Sequence, residues 1–376
     1  MKRNVYFFYS TFVFIVLCSC AAAFSNTSTE IALENYEKVK PISELGDTSL
    51  MIQLKDCGKL SLITDVDRII CRDSIMYLFD NANDVIVSFD MNGNFLATTE
   101  KSKGHGKNEY IHLSDVSLDE TTGYLYALCD TPSEIMVFDK DLNIKWIRPI
   151  DFMPIEICVD SAKIYLFQLD YHHDNYEILC MDKDKKGKDA TVLLSSKIEI
   201  KRLMGLGKSL CITDGECWAS LPFTNRIYNI SKGKIIKEYS VEFQESWYSK
   251  GSKNVKQFLE KNNDKVWMIQ NFQKNGNDLW FNSNTEGLYC LNIERNKCIC
   301  YNLVIPDKIP YVSQLIIPQQ GFGARICFRV IPQFIYSYLK RIEKKDMEEQ
   351  EGKAYELAKQ NIKEKNAMIT LWTMNP

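Results

Sequence analysis

Two stretches of this sequence are copies of one strand-rich unit. "IMYLFDNANDVIVSFDMNGNFLAT" (75–98) and "LYALCDTPSEIMVFDKDLNIKWI" (125–147) share one order of parts: an apolar strand ending in Asp, a polar turn, a second apolar strand ending in Phe-Asp, a tight turn and a third strand. Asp80 aligns with Asp130, and Phe89-Asp90 with Phe138-Asp139. "FDMNGN" and "FDKDLN" are hairpin signals, because Asn and Gly admit positive φ. Weaker copies carry the second marker at Met181-Asp182, Ile230-Ser231 and Leu291-Asn292. Marker positions 90, 139, 182, 231 and 292 are 49, 43, 49 and 61 residues apart. Units of about 40–50 residues are the blades of a β-propeller. An ordinary β-sandwich would not repeat this order through most of a chain.

The expected fold is therefore all-β, a six-bladed propeller. Five units are set by their markers, and "VSQLIIPQQGFGARICFRVI" has the strands for a sixth. The widest spacing holds "FQESWYSKGSKNVKQFLEKNND" (243–264), read as a helical insertion. A late helix is expected over 332–366, where Ile335, Tyr338, Leu339 and Ile342 form one stripe. The chain ends in the strand-like "AMITLWTM". A ring needs its last blade tied to its first, since an open ring leaves two bare sheet edges. The terminal strand and "SLMIQL" (49–54) are the candidates for that clasp.

Between the two clear copies lies "TEKSKGHGKNEYIHLSD" (99–115), a Gly-x-Gly among lysines. A phosphate-binding P-loop needs four residues between its glycines and Lys-Ser/Thr after the second. Here Gly104 and Gly106 are separated by one residue, and Lys107 precedes Asn108. A dinucleotide loop would place glycine at 109 and then a helix, but position 109 is Glu and a strand follows. The remaining reading is a connector between blades, with Gly104, Gly106, Glu109 and Tyr110 as structural linker residues. This segment, through Asp119, resembles the linker of NHL-type six-bladed propellers. Over residues 45–376 the chain is similar to a family of lipid-anchored six-bladed propeller proteins of Gram-negative, gut-type anaerobes. The likeness is sharpest over 62–150. His105 and Asn108 stand where that family more often has Gln and Pro or Gly.

The N-terminus reads as an export signal. Basic Lys2 and Arg3 precede the 15-residue run "VYFFYSTFVFIVLCS", too short for a comfortable membrane span. "LCSC" then resembles a bacterial lipobox, with Cys20 as the residue that takes a diacylglycerol. The alternative is an ordinary cleaved signal ending near "AAAF". The expected organisation is a signal over 1–19, a tether over 20–44 and one propeller domain over 45–376. No acidic cluster follows Cys20, which in the resembling lipoproteins favours surface export, so a periplasm-facing envelope lipoprotein is expected.

Residues 1–19 hold two basic and no acidic side chains, so their removal takes the net charge from −3 to −5. That excludes the basic field nucleic acid requires. Of 13 cysteines, most lie inside apolar runs and read as small buried residues. Cys298 and Cys300 form C-x-C with no second pair at zinc spacing. The four histidines are confined to two places: "DYHHDNYE", with Asp170, His172, His173 and Asp174, and the linker, with His105 and His112. The first reads as an exposed polar loop, and a linker role suffices for the second.

No catalytic, cofactor or metal role is assigned. The expected function is a membrane-tethered binding or scaffold module for an envelope protein, peptide or glycan, with a hydrolase or lyase acting in the central channel as the alternative. Convergent carboxylates with perturbed titration at a channel mouth would favour the enzyme. Phe243, Trp247, Tyr248 and Phe258 of the insertion suggest a contact surface, or else a staple onto their own blade.

Overall fold

The computed structural model describes residues 28–36, 40–41, 46–55, 63, 66–183, 189–200, 207–285, 287–301, 304–305, 319–320, 325–330, 356, 359 and 368–374. Cys20 and most of the expected late helix lie outside them; Glu356 and Lys359 are helical.

Three strands precede the repeats: β1 (Thr29–Tyr36), β2 (Lys40–Pro41) and β3 (Gly46–Gln53). Blade 1 is β4 (Val66–Arg72), β5 (Ile75–Asp80), β6 (Val85–Asp90) and β7 (Phe95–Thr98). Blade 2 is β8 (His112–Leu118), β9 (Leu125–Thr131), β10 (Ser133–Phe138) and β11 (Ile144–Pro149). Blade 3 is β12 (Pro154–Val159), β13 (Lys163–Asp170), β14 (Asn175–Asp182) and β15 (Thr191–Lys197). Blade 4 is β16 (Leu210–Thr213), β17 (Glu216–Ala219), β18 (Arg226–Ser231) and β19 (Lys234–Glu242). After helix α1 (Val255–Asn262), blade 5 is β20 (Ile269–Asn275), β21 (Asp278–Ser283), β22 (Leu288–Asn292) and β23 (Lys297–Tyr301). Then come β24 (Val304–Ile305), β25 (Gln319–Gln320), β26 (Arg325–Val330) and β27 (Met368–Met374).

Each blade is an antiparallel meander, and the first strand of each lies beside the first strand of the next. The fold is a β-propeller. Its core is not one mass but a series of layers between blades. Tyr77 and Phe79 of blade 1 pack with Leu113, Leu125 and Phe138 of blade 2. Tyr126 and Ile135 of blade 2 pack with Ile157 and Leu166 of blade 3. Blades so stacked bury both faces, which is why inner strands such as "IMYLF" and "LYALC" are continuously apolar rather than alternating.

The markers Asp90 and Asp139 close the third turn of their blades. Each carboxylate oxygen Oδ1 accepts from two backbone amides, Asn92 and Asn94 in blade 1, Asp141 and Asn143 in blade 2. Such Asx geometry sets a tight reversal without help from distant residues. Gly93 and Leu142, both at positive φ, complete the two turns.

The two chain ends meet. β27 lies between β26 and β3, antiparallel to both, with Ile369 opposite Ile52. Ile52 is buried against Val66, Ile69 and Met76 of blade 1. The two segments expected to form the clasp thus pair directly with each other.

The tether expected over 20–44 needs correction. β1 lies within it and is built into the rim, parallel to β19 through Thr29–Ala32 and to β23 through Leu33–Tyr36. It joins blades 4 and 5 into one nine-stranded sheet. Its "IALEN" pattern places Ile31, wholly buried, against Tyr239, Val241 and Phe281. Only residues before Thr29 remain for a free tether.

Deleting residues 367–376 removes β27 and leaves β3 and β26 without their shared partner. We expect the truncated chain to be insoluble or to melt well below the full chain by circular dichroism. An unchanged melt would refute closure by this strand.

Candidate functional site

The sequence-derived linker residues come together as one compact loop after a 3-10 turn (Thr99–Ser102). The Glu109 carboxylate folds back over the glycines and accepts from the Gly106 amide at 2.6 Å. A Cβ on Gly104 would stand 2.2 Å from Glu109 Oε2, and one on Gly106 2.8 Å. The two glycines leave room for the Glu109 carboxylate to lie against the backbone, and a side chain at either would displace it. The loop does cradle an anion, but the anion is its own glutamate. Tyr110 is wholly buried. Its hydroxyl meets Thr99 Oγ1 at 2.7 Å, and that oxygen accepts from the Ile86 amide. The connector is thus pinned to blade 1.

The insertion turns its aromatics inward. Phe243, Tyr248 and Phe258 are buried, with Trp247 partly so. Phe258 packs edge-on against Phe223 and Trp267, and Phe243 stacks on Trp247. Asn254 caps α1 by accepting from the Gln257 amide, and Asn262 ties its end to Ser249. These four aromatics staple the insertion to blades 4 and 5. They do not form the contact surface considered from the sequence.

His173 Nδ1 lies 2.5 Å from Asp170 Oδ2 in an exposed turn, which holds the imidazole pKa above its ordinary value. No group of metal-ligating side chains occurs among the described residues. Cys298 and Cys300 are buried, and burial pushes both thiols up.

The most concentrated chemistry lies on the axis, where residues not singled out from the sequence converge. β4 supplies Asp67 and Arg68, β8 supplies Asp115, β12 supplies Glu156, and the segment before β16 supplies Lys208. In β4, β8, β12 and β20 the pairing register slips beside these positions, between Val66 and Arg68, Leu113 and Asp115, Pro154 and Glu156, and Gln270 and Gln273. A bulge of this kind bends a strand and re-aims a side chain. Here it breaks the in–out alternation where a charged or amide side chain must face the axis.

Arg68 donates through Nε and Nη2 to the two oxygens of Asp115 at 2.5 and 2.7 Å, and through Nη2 to the Leu210 carbonyl at 3.1 Å. One guanidinium so joins blades 1, 2 and 4. The Ile157 amide of blade 3 donates to Asp115 at 2.9 Å. Lys208 Nζ lies 2.6 Å from Asp67 and 3.5 Å from Asp115. Blade 5 holds the Lys208 backbone, whose amide donates to Asn271 Oδ1 and whose carbonyl accepts from the Asn271 amide. Glu156 accepts from the Leu210 amide at 2.8 Å. Arg68, Asp115 and Glu156 are all buried.

Burial works to raise the Asp115 carboxyl, but Arg68 and then Lys208 outweigh it and hold it below the usual carboxylate range. Glu156 goes the other way. Burial, opposed by Lys208 and reinforced by Asp115, pushes it up to about 7. Carboxylates of three blades do converge, then, and two of them, Asp115 and Glu156, are shifted in opposite directions. Asp115 and Glu156 lie buried and already engaged, and Asp67, bonded to Lys208, is partly exposed.

A weak signal for this cluster was present. Asp115 and Asp119, and likewise Glu156 and Asp160, are four residues apart in otherwise apolar inner strands. The second of each pair closes the next turn. Asp119 accepts from Thr122 Oγ1 and from Lys183 Nζ of blade 3; Asp160 accepts from Tyr165 and from the Lys232 amide of blade 4. A turn of blade 2 is thus clamped by blade 3, and a turn of blade 3 by blade 4.

A family profile matches residues 28–364, nearly the whole described structure. The chain belongs to the DUF4934 family. That family is described as a domain of unknown function. No curated protein matches this DUF4934 chain. Among solved structures it is similar to a protein from Bacteroides fragilis described as exported, with TM-score 0.67 and 14% identity, covering 93% of this chain and 100% of that one. It is also similar to a DUF4221 family member from Bacteroides vulgatus, with TM-score 0.55 and 10% identity, covering 88% and 98%. At these identities the likeness is one of fold.

Arg68→Met would leave Asp115 buried without its main partner, which costs about 3–5 kcal/mol in comparable sites. Denaturant titration should show that loss, and Arg68→Met with Asp115→Leu should recover most of it. Single and double variants that lose equal stability would contradict a direct pair.

Proposed function

We propose that this DUF4934 protein is a binding module of the cell envelope, anchored by lipid at Cys20 and facing the periplasm. Its ring has six blades, with β26, β27 and β3 forming the sixth. The observation that carries the binding reading over an axial enzyme is that the axial groups are bonded to one another. Arg68 of blade 1 reaches the Leu210 carbonyl of blade 4 directly, and both Asp115 oxygens are already bonded. A substrate there would have to break buried ion pairs, at a cost of several kcal/mol.

The faces of the ring then remain for recognition. Connectors between blades and the turns between second and third strands share one face. Ile111, Met153, Tyr171 and Leu259 are exposed on it. The other large exposed apolar side chains, Leu96, Val192 and Ile236, lie on outer strands. Apolar side chains presented on the same face of a rigid display suit a peptide, a glycan or another envelope protein. The exported neighbour from Bacteroides fragilis supports an extracytoplasmic location, as does the lipobox-like "LCSC".

Two experiments test this. A clickable fatty-acid analogue should label the wild-type protein and not Cys20→Ala, with membrane partition lost in the variant; equal labelling would sink the anchor. Cross-linking in intact cells should capture an envelope component from wild type and at least several-fold less from Met153→Ser/Tyr171→Ser. Capture unaffected by the double variant would move the contact off this face.

A further inference from the structure

Among the described residues, the axis brings together three carboxylates, Asp67, Asp115 and Glu156, and two cations, Arg68 and Lys208. Arg68 is committed to both oxygens of Asp115. Lys208 is shared between Asp67 and Asp115. Among the described residues Glu156 has no ion pair; its bond is to the Leu210 amide. It is 4% exposed. An ionised carboxylate so placed would be a second buried negative charge beside Asp115 without an ion pair of its own, and such groups bind a proton instead.

We propose that Glu156 is a proton-operated latch on the contact between blades 1 and 4. With the proton bound, the charges of these described groups balance and Lys208 serves Asp67 and Asp115. When the proton leaves, Glu156 repels Asp115 and competes for Lys208, which weakens the Lys208–Asp67 bridge between the two blades. The groups facing Glu156 set the balance: Arg68 from β4, Asp115 from β8, Lys208 ahead of β16 and Cys211 within it. The device is independent of what the ring binds and of whether it is lipid-anchored.

The direction of the pH effect follows from linkage. Glu156 holds its proton more tightly in the folded chain, up to about 7 against 4.5 as the ordinary value. Its proton adds stability below the unfolded value, and that stability is lost as pH rises through the folded value. Asp115 and Asp119, held below 3.8, act only in more acid solution. His173 and Glu134 are both held above their ordinary values and also titrate toward this window, so the effect of Glu156 is read as the difference between wild type and a Glu156 variant, in which they cancel.

The test compares melting of the wild-type chain and Glu156→Gln, which keeps an acceptor for the Leu210 amide. Near about pH 5 the two should melt alike, and near about pH 8 the variant should melt several degrees higher. Hydrogen exchange of the Leu210 and Asn271 amides, corrected for intrinsic base catalysis, should rise with pH in wild type only. A melting difference that does not change with pH, or a variant less stable near about pH 8, overturns the latch. Should the variant not fold, glutamate-labelled wild-type protein decides the matter by infrared spectroscopy. A protonated carboxylic-acid band that titrates near neutrality supports the latch, and its absence at mildly acid pH rejects it.

Discussion

Arg68 divides one guanidinium among three blades, and the middle of the ring depends on it. Its fork matches the carboxylate of Asp115 on blade 2, and its remaining reach ends on the Leu210 carbonyl of blade 4. A charge removed from water this completely is tolerated only with excellent geometry and full hydrogen bonding. The surrounding strands supply both through bulges that turn Asp115 and Glu156 toward it. The charge cluster therefore does for the axis what apolar packing does between blades. It fixes how inner strands approach where their edges converge.

The rim is held by a different device. Outer strands of neighbouring blades would ordinarily present two separate edges, and a bare edge is a pairing hazard. β1 lies along both, so backbone hydrogen bonds of blades 4 and 5 continue through it. Farther round, β27 and β3 tie the end of the chain to its beginning. β1, much of what was expected to be tether, is thus part of the sheet system rather than a free leash.

Much of the fold was legible in the sequence because its signals are local. Asp90 with Asn92 and Asn94, and Asp139 with Asp141 and Asn143, make turns from neighbours a few residues away. Gly104 and Gly106 could be separated from phosphate loops by spacing alone, and Glu109 fills the position an external anion would need. The insertion's aromatics were ambiguous for the opposite reason. A Phe or Trp among lysines looks the same in sequence whether it meets a ligand or, like Phe258, meets Phe223 and Trp267 from other elements.

By itself, the sequence determined the strand-rich repeat, its turns, the connector glycines and the segments that close the ring, since each depends on residue types at short fixed spacing. Only the tertiary structure decided what stands on the axis. Arg68, Asp115, Glu156 and Lys208 come from four blades, and β-bulges, which composition does not announce, aim three of them inward. It also decided that β1 is shared by two blades, because its partners lie about two hundred residues or more along the chain. Such contacts are set by the ring's closure, a property of the whole chain that no local stretch encodes.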